Sequence, residues 1–145
     1  MKTLCIGGIK KAGTEENGGS AMLGQGLYTA YLSNKSMAKG YGTVYFVVGA
    51  KAKHPKLFKT LNDFEIWFYN TLVFNYSKAK GKEYPDRKDF DNETSISEEL
   101  QKMGYDGIAI VGREMVNFKP NPDEIRYFSN ENQLMQYYEF INNYR

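Results

Sequence analysis

A glycine-rich segment with three tyrosines, GQGLYTAYLSNKSMAKGY at residues 24–41, holds the first residue types whose spacing suits ligand binding. Gly24 and Gly26 have no Cβ atom, so the backbone there can turn tightly and approach a bound molecule closely. They do not form the dinucleotide-binding fingerprint, because no third glycine follows at the required spacing and the necessary strand is missing. The segment therefore predicts either a connector between a loop and a helix or one wall of a ligand pocket.

Metal and disulfide chemistry have few candidate residues in this chain. Cys5 is the single cysteine and His54 the single histidine. One cysteine cannot form an internal disulfide, and one cysteine with one histidine is too few ligands for a structural zinc site. We expect no metal cofactor.

The composition predicts one globular domain over residues 1–145. The chain has 145 residues, of which 41% are apolar and 25% charged, values close to the averages of folded domains. The net charge of +2, from 19 basic and 17 acidic residues, is too balanced to predict nucleic-acid binding from electrostatics alone. The basic stretches 51–59 and 78–88 are interpreted as solvated faces.

The beginning of the sequence, MKTLCIGGIKKAG, lacks the continuous apolar core of a signal peptide. No window is long and apolar enough to cross a bilayer. We expect a cytoplasmic protein without a membrane partner. Delivery by a phage particle or a secretion system stays an alternative.

Strands and helices are both predicted, without the regular alternation of a doubly wound parallel sheet, which favours an α+β fold. Strands are predicted at 3–6, 27–30 and 43–50, the last in the β-branched and aromatic run TVYFVVGA. The other predicted elements are a short helix capped by Ser33 or Asn34 through Ala38, a helix over 63–78 opened by Asn62 and Glu65, a helix opened by Ser95 and Glu98 and ending at Met103, strands in GIAIVG and EMVNF, and a last helix from Asn132.

With its surroundings, the segment 24–41 resembles the G-x-G-[IL]-Y-[FT]-A…S-K-S-A-x-Y segment of poly(ADP-ribose) polymerase catalytic domains. It is also similar to ADP-ribosyltransferase-like domains of phage polyvalent proteins and bacterial toxins, and YGTVYFVV continues the match into a strand. Near the C-terminus, GYDGIAIVGREMVNFKPNPDEIRYF looks like the closing segment of the same family. The resemblance implies a split antiparallel β-sheet core with flanking helices, and it leaves residues 51–93 weakly matched.

The resemblance also implies NAD as co-substrate and assigns site residues. Glu114 takes the position of the catalytic glutamate, and Tyr28 and Tyr41 take the two positions that clamp the nicotinamide ring. Ser36 matches the residue whose hydroxyl bonds the carboxamide, and Gly7 matches the glycine whose backbone bonds the same amide. In the closing segment, Phe118 and Glu124 take the places of the family's aromatic residue and glutamine.

The chemistry expected of Glu114 is stabilisation of positive charge on the ribose while the bond to nicotinamide breaks. At the start of a strand, Glu114 shares one face with Val116 and Phe118, while Met115 and Asn117 take the other. The structural alternatives are an exposed ion pair between Arg113 and Glu114, core roles for the tyrosines, a helix-turn role for Ser36 and a simple turn at Gly7-Gly8.

The main departure from the family is Ile6, which stands where the resembled families have histidine or arginine. Three functions stay open: an NAD-dependent mono-ADP-ribosyltransferase acting on a protein or nucleic-acid acceptor; a catalytically inactive domain of the same fold that binds ADP-ribose, mediates interactions or is a structural component, for example of a phage particle; and, more weakly, RNA 2′-phosphotransferase chemistry. The sequence predicts neither the acceptor nor the oligomeric state.

Overall fold

A computed structural model describes residues 5–8, 22–34, 36 and 44–143 of the chain. Seven strands form one hydrogen-bonded sheet with the order β4-β5-β6-β2-β1-β3-β7. In chain order the strands are β1 Cys5–Gly8, β2 Leu27–Tyr31, β3 Val44–Val48, β4 Pro55–Phe58, β5 Gly107–Ile110, β6 Glu114–Asn117 and β7 Arg126–Phe128.

The helices complete an α+β fold, as the sequence predicts. Between β4 and β5 the chain forms a long helical stretch and two shorter helices, and the last helix follows β7. The bounds are a 3-10 turn at Leu32–Asn34, α1 Leu61–Trp67, a π-helical segment Phe68–Val73, α2 Phe74–Ala79, α3 Arg87–Glu93, α4 Ile96–Lys102 and α5 Glu131–Asn143.

One pair of neighbouring strands departs from the expected antiparallel sheet. All neighbours are antiparallel except β4 and β5, which run parallel, with Pro55 opposite Gly107 and Phe58 opposite Ile110. Parallel neighbours need a long crossover connection, and the helices α1 to α4 supply it. The helical part of the chain is therefore the crossover that returns the chain to the sheet.

Several predicted elements are confirmed, because their local signals are strong. They are the strands at 27–30 and 43–50, the helical stretch over 63–78, the strands in GIAIVG and EMVNF, and the helix opened by Ser95. Ser95 Oγ accepts a hydrogen bond from the backbone N–H of Glu98 at 3.1 Å, as in a capping box. The last helix begins at Glu131, one residue before the predicted start.

Other predictions need correction. The cap of α1 is Thr60, not Asn62: Thr60 has extended backbone angles and its hydroxyl accepts a hydrogen bond from Asp63 N at 3.1 Å. The first strand is Cys5–Gly8, so its described part extends through the glycine pair. The basic stretches 51–59 and 78–88 are mostly exposed, as predicted, although they include β4 and the start of α3. The predicted helix through Ala38 lies mostly outside the described residues.

The two faces of the sheet bury different clusters. The crossover helices cover one face and bury a large cluster, here called the helix-side core: Leu23, Tyr28, Phe58, Phe64, Phe68, Leu72, Val73, Phe90, Ile96, Leu100, Ile108, Ile110 and Val116. The other face buries a smaller cluster: Val47, Ala50, Ala109, Met115 and Ile125. Most of the apolar core therefore lies between the sheet and the crossover helices.

A search of the described helices for a membrane span finds none of sufficient length and apolar character.

Candidate functional site

Three strands that carry motif residues are direct neighbours in the middle of the sheet. The order β6-β2-β1 places the strand of Glu114 beside that of Tyr28, and the strand of Tyr28 beside that of Gly7. The Cα partners run Ile6 to Ala30 and Ala30 to Glu114. Segments more than eighty residues apart in sequence thus meet through strand pairing.

Glu114 is a buried acid on the helix-covered face. It opens β6 after a turn in which Gly112 has φ +76°, and its side chain shares a face with Val116, a member of the helix-side core. The residue is only 7% exposed. Phe118 packs against the same core and Met115 belongs to the opposite cluster, so the predicted alternation along this strand is confirmed.

The electrostatic environment of Glu114 disfavours its charged form. Burial raises the pKa of the Glu114 carboxyl above its usual value, and the positive charge of Arg113 opposes that rise only in part. Arg113 Nε lies 3.6 Å from Glu114 Oε1, and its side chain is half exposed. The predicted ion pair is present, but its acid is buried rather than exposed, so the two groups are not a simple surface salt bridge.

Tyr28 lies on the same face as Glu114 and is nearly buried. Its Cα partner is Val116, two residues along β6 from Glu114. The Tyr28 hydroxyl accepts a hydrogen bond from Leu23 N at 3.0 Å and donates one to Gly24 O at 2.5 Å. Only 8% of the residue is exposed, so its ring already belongs to the helix-side core.

The two glycines of the opening motif approach the protein's own chain. A Cβ atom on Gly26 would lie 2.3 Å from Asn117 O, and one on Gly24 would lie 3.1 Å from Phe118 Cε1. Gly24 also has φ +100°, a left-handed conformation that favours glycine. The motif therefore brings the start of β2 against the end of β6 and so positions Tyr28 beside the strand of Glu114.

The structure relates the other predicted binding residues less directly to Glu114 than it relates Tyr28. Ser36 is exposed, and its hydroxyl donates a hydrogen bond to Asn34 Oδ1 at 3.2 Å. Gly7 has strand partners on both sides, Thr29 and Tyr45. Tyr41 lies outside the described residues, so the second wall of the predicted ring clamp stays a prediction. Glu124 is exposed and forms an ion pair with Lys53 at 3.6 Å.

Sequence reasoning did not predict two further features on the helix-covered side. A surface cavity of about 550 Å³ lies beside the π-helical segment, lined among others by Met22, Phe68, Tyr69, Asn70 and Arg87. At the edge of the sheet, three aromatic rings surround the ammonium group of Lys56. Neither has a local sequence signal, since the residues come from separate elements.

Within the described ranges no group of three or more His, Cys, Asp and Glu side chains could hold a metal ion. Comparisons of the chain with protein-family models, with curated proteins and with solved structures give no match.

Proposed function

We propose that this chain is an NAD-dependent mono-ADP-ribosyltransferase, in which Glu114 is the catalytic acidic residue. The observation that carries the proposal is the arrangement of Glu114 and Tyr28. They lie on one face of two paired strands, and the carboxyl is buried and has a raised pKa. A perturbed acid beside an aromatic residue, on strands joined by two separate motifs, is typical of a functional site.

The adjacency of β1, β2 and β6 supports an ADP-ribosyltransferase-like sheet. The first motif segment contains β2 and the closing segment contains β6, and these strands are paired although the chain between them runs through four helices. Gly7 lies on β1, the other neighbour of β2. The expected split of the sheet and the clamp formed with Tyr41 are part of the proposal. The residues that would hold the nicotinamide end of NAD are Tyr28, Tyr41, Ser36 and Gly7.

In this proposal Glu114 acts electrostatically. Its carboxylate stabilises the positive charge that develops on the ribose as the bond to nicotinamide lengthens, and it accepts a hydrogen bond from a ribose hydroxyl. The low-dielectric surroundings that raise its pKa also strengthen its attraction for a nearby cation. The group that finally accepts the ADP-ribose is a nucleophile of a protein or a nucleic acid.

The experiment is release of nicotinamide from NAD, with transfer of labelled ADP-ribose as a second readout. Glu114→Gln keeps the shape of the side chain and removes its charge, and we expect it to lower the rate at least about 100-fold. Glu93→Gln is the matched control, because Glu93 is an exposed acid at the end of α3, and its rate should equal that of the wild type. Equal rates for wild type and Glu114→Gln would refute the site.

A second candidate function is an inactive domain of the same fold that binds ADP-ribose, mediates interactions or builds a larger particle. The observation that favours it is Ile6, which is paired with Ala30 and so stands in the same row as Glu114. The resembled families place a ribose-binding side chain at this position. Thermal unfolding with NAD and with nicotinamide tests both candidates. A rise in melting temperature without turnover supports the inactive domain, and no shift with either ligand opposes NAD binding altogether.

A further inference from the structure

Three aromatic rings surround the ammonium group of Lys56 at the outer edge of the sheet. Lys56 Nζ lies 5.0 Å from the centre of the Trp67 ring, 5.3 Å from that of Tyr105 and 5.4 Å from that of Phe58. Each distance is within the range of a cation–π interaction. The set of Phe58, Trp67 and Tyr105 is called the aromatic cage below.

The position of the cage is fixed by the fold. Phe58 is on the edge strand β4, Trp67 ends α1, and Tyr105 lies between α4 and β5. Phe58 is buried, and its ring contacts that of Trp67 with centroids 5.4 Å apart. Trp67 and Tyr105 are partly buried and pack against the helix-side core. The rings are therefore held by the core and the sheet rather than by Lys56.

The chemistry of the cage suits a different cation better than lysine. Among the described residues, no ion pair involves Lys56. A primary ammonium has three N–H donors, and ring faces offer it negative potential but no lone pairs. A quaternary ammonium has no N–H group to satisfy and gains from contact with several rings. The cage matches the second kind of cation more closely than the first.

We propose that the aromatic cage is a binding site for a small quaternary ammonium compound of the choline type, and that Lys56 fills it until such a ligand displaces the side chain. Lys56 lies two residues before Phe58 on the same strand and on the same face. It is thus a tethered competitor with an effective concentration of roughly millimolar. A ligand must outcompete this tethered cation, so its affinity for the wild type is lower than for a chain without Lys56.

The cage shares no residue with the site proposed for NAD. Its residue Phe58 lies on β4, two strands from Glu114 on β6 and on the opposite side from β2 and Tyr28. The inference therefore does not depend on the proposed transferase activity. Failure of either one leaves the other intact.

The test titrates tetramethylammonium chloride into the wild type and into Lys56→Ser. Fluorescence of Trp67 is the readout, because the chain has one tryptophan. Sodium chloride at equal ionic strength controls for salt, and 3,3-dimethylbutanol is the neutral analogue of choline. We expect saturable binding in both proteins, about tenfold tighter in Lys56→Ser, and at least tenfold weaker binding of the neutral analogue.

A second measurement uses the wild type alone, so it tests the proposal even if Lys56→Ser does not fold. Ring currents of the cage should shift the NMR signals of the Lys56 εCH₂ group, and saturating tetramethylammonium should return them to values of an exposed lysine. Signals that do not move would overturn the proposal. Equal affinity for the neutral analogue, or no binding to folded Lys56→Ser, would overturn it as well.

Discussion

Glu114 and Glu93 are two glutamates held in opposite ways. Glu93 lies at the end of α3, where Lys80 Nζ is 2.6 Å from its carboxylate and the Tyr76 hydroxyl donates to the same group. The hydrogen bond from Lys80, followed by that from Tyr76, lowers the pKa of the exposed Glu93 carboxyl. Burial raises the pKa of Glu114, which has only the partial compensation of Arg113.

The comparison separates a structural acid from a candidate functional one. Two side-chain contacts on the surface stabilise the charged form of Glu93, so its charge supports the folded state. The core around Glu114 opposes its charge, so the folded state is less stable for carrying it. Buried acids with a perturbed pKa cluster at functional sites, where a substrate can compensate the charge, and Glu114 is therefore the candidate of the two.

The largest expected effect comes from breaking the contact between β2 and β6, which involves the strand of Glu114 and not the helix of Glu93. In Gly26→Ala the new Cβ meets Asn117 O at 2.3 Å and Val116 Cγ2 at 2.9 Å, so β2 and β6 must separate. We expect the free energy of unfolding to fall by about 3 kcal/mol, as in an overpacked core. Denaturant titration measures this loss, and NMR titration of carboxyl signals should show a changed pKa for Glu114 and the same pKa for Glu93.

Gly112→Ala is the matched control for that prediction. Gly112 has φ +76°, but no atom of the described residues beyond its two chain neighbours lies within 4 Å of the added Cβ. Backbone strain alone should lower the free energy of unfolding by about 1 kcal/mol. If both variants lose the same amount, the close approach of β2 to β6 is not what fixes the site.

A gain of function is the second expected effect. Ile6 pairs with Ala30, and Ala30 pairs with Glu114, so the backbone at residue 6 lies about 10 Å from that of Glu114, twice the usual strand spacing. Under the transferase proposal, Ile6→His supplies the ribose contact that the resemblance expects, and KM for NAD should fall about tenfold, or about 1.4 kcal/mol. The double variant Ile6→His with Glu114→Gln should lose turnover. No gain in the single variant would favour the inactive domain.

Removal of one hydroxyl group gives a smaller effect. Tyr28→Phe loses the hydrogen bonds with Leu23 N and Gly24 O, and it leaves the buried Leu23 N–H without that acceptor. We expect the free energy of unfolding to fall by about 1 to 2 kcal/mol. Tyr127→Phe is the control, since Tyr127 is exposed on β7 and its loss of a hydroxyl should change nothing measurable. Equal melting temperatures for the two variants would contradict the structural role of the Tyr28 hydroxyl.

The parts of the fold that could be predicted are those with a strong local signal. The β-branched run of β3 and the Ser95 cap of α4 depend on neighbours in sequence, and both are confirmed. The sequence does not predict the strand Pro55–Phe58, because its pattern is short and its position depends on parallel pairing with β5, about fifty residues later. Helix α3 is not predicted either, because Phe90 is its one buried residue and gives no helical repeat of apolar positions.

In the candidate site too, the sequence predicts local features and not contacts between distant strands. The start of β6 at Glu114 and the face it shares with Val116 follow from strand alternation. Strand alternation does not predict the close approach of Gly26 to β6 or the hydrogen bond from the Tyr28 hydroxyl to its own loop. Both depend on how distant strands pair. The same is true of the cage around Lys56, whose three rings come from separate elements.

The smallest expected effect is a difference in how stability depends on pH. Because the folded pKa of Glu114 is raised, the wild type loses stability relative to Glu114→Gln as pH rises through the unfolded and then the folded pKa. Glu93 has the opposite sign. Its folded pKa is lowered, so the wild type gains stability relative to Glu93→Gln as pH rises through the folded and then the unfolded pKa.

Urea titrations of the three proteins between about pH 3 and pH 8 measure both differences, since that interval spans the usual glutamate pKa. Well below both the folded and the unfolded pKa of each glutamate, the carboxyl is protonated in both states, so the pH-dependent part of each difference should vanish there. At neutral pH, Glu114→Gln should be at least as stable as the wild type, whereas Glu93→Gln should be less stable. A loss of stability in Glu114→Gln that grows with pH would mean that the folded state favours the charge of Glu114. The contrast between a structural and a functional acid would then be wrong.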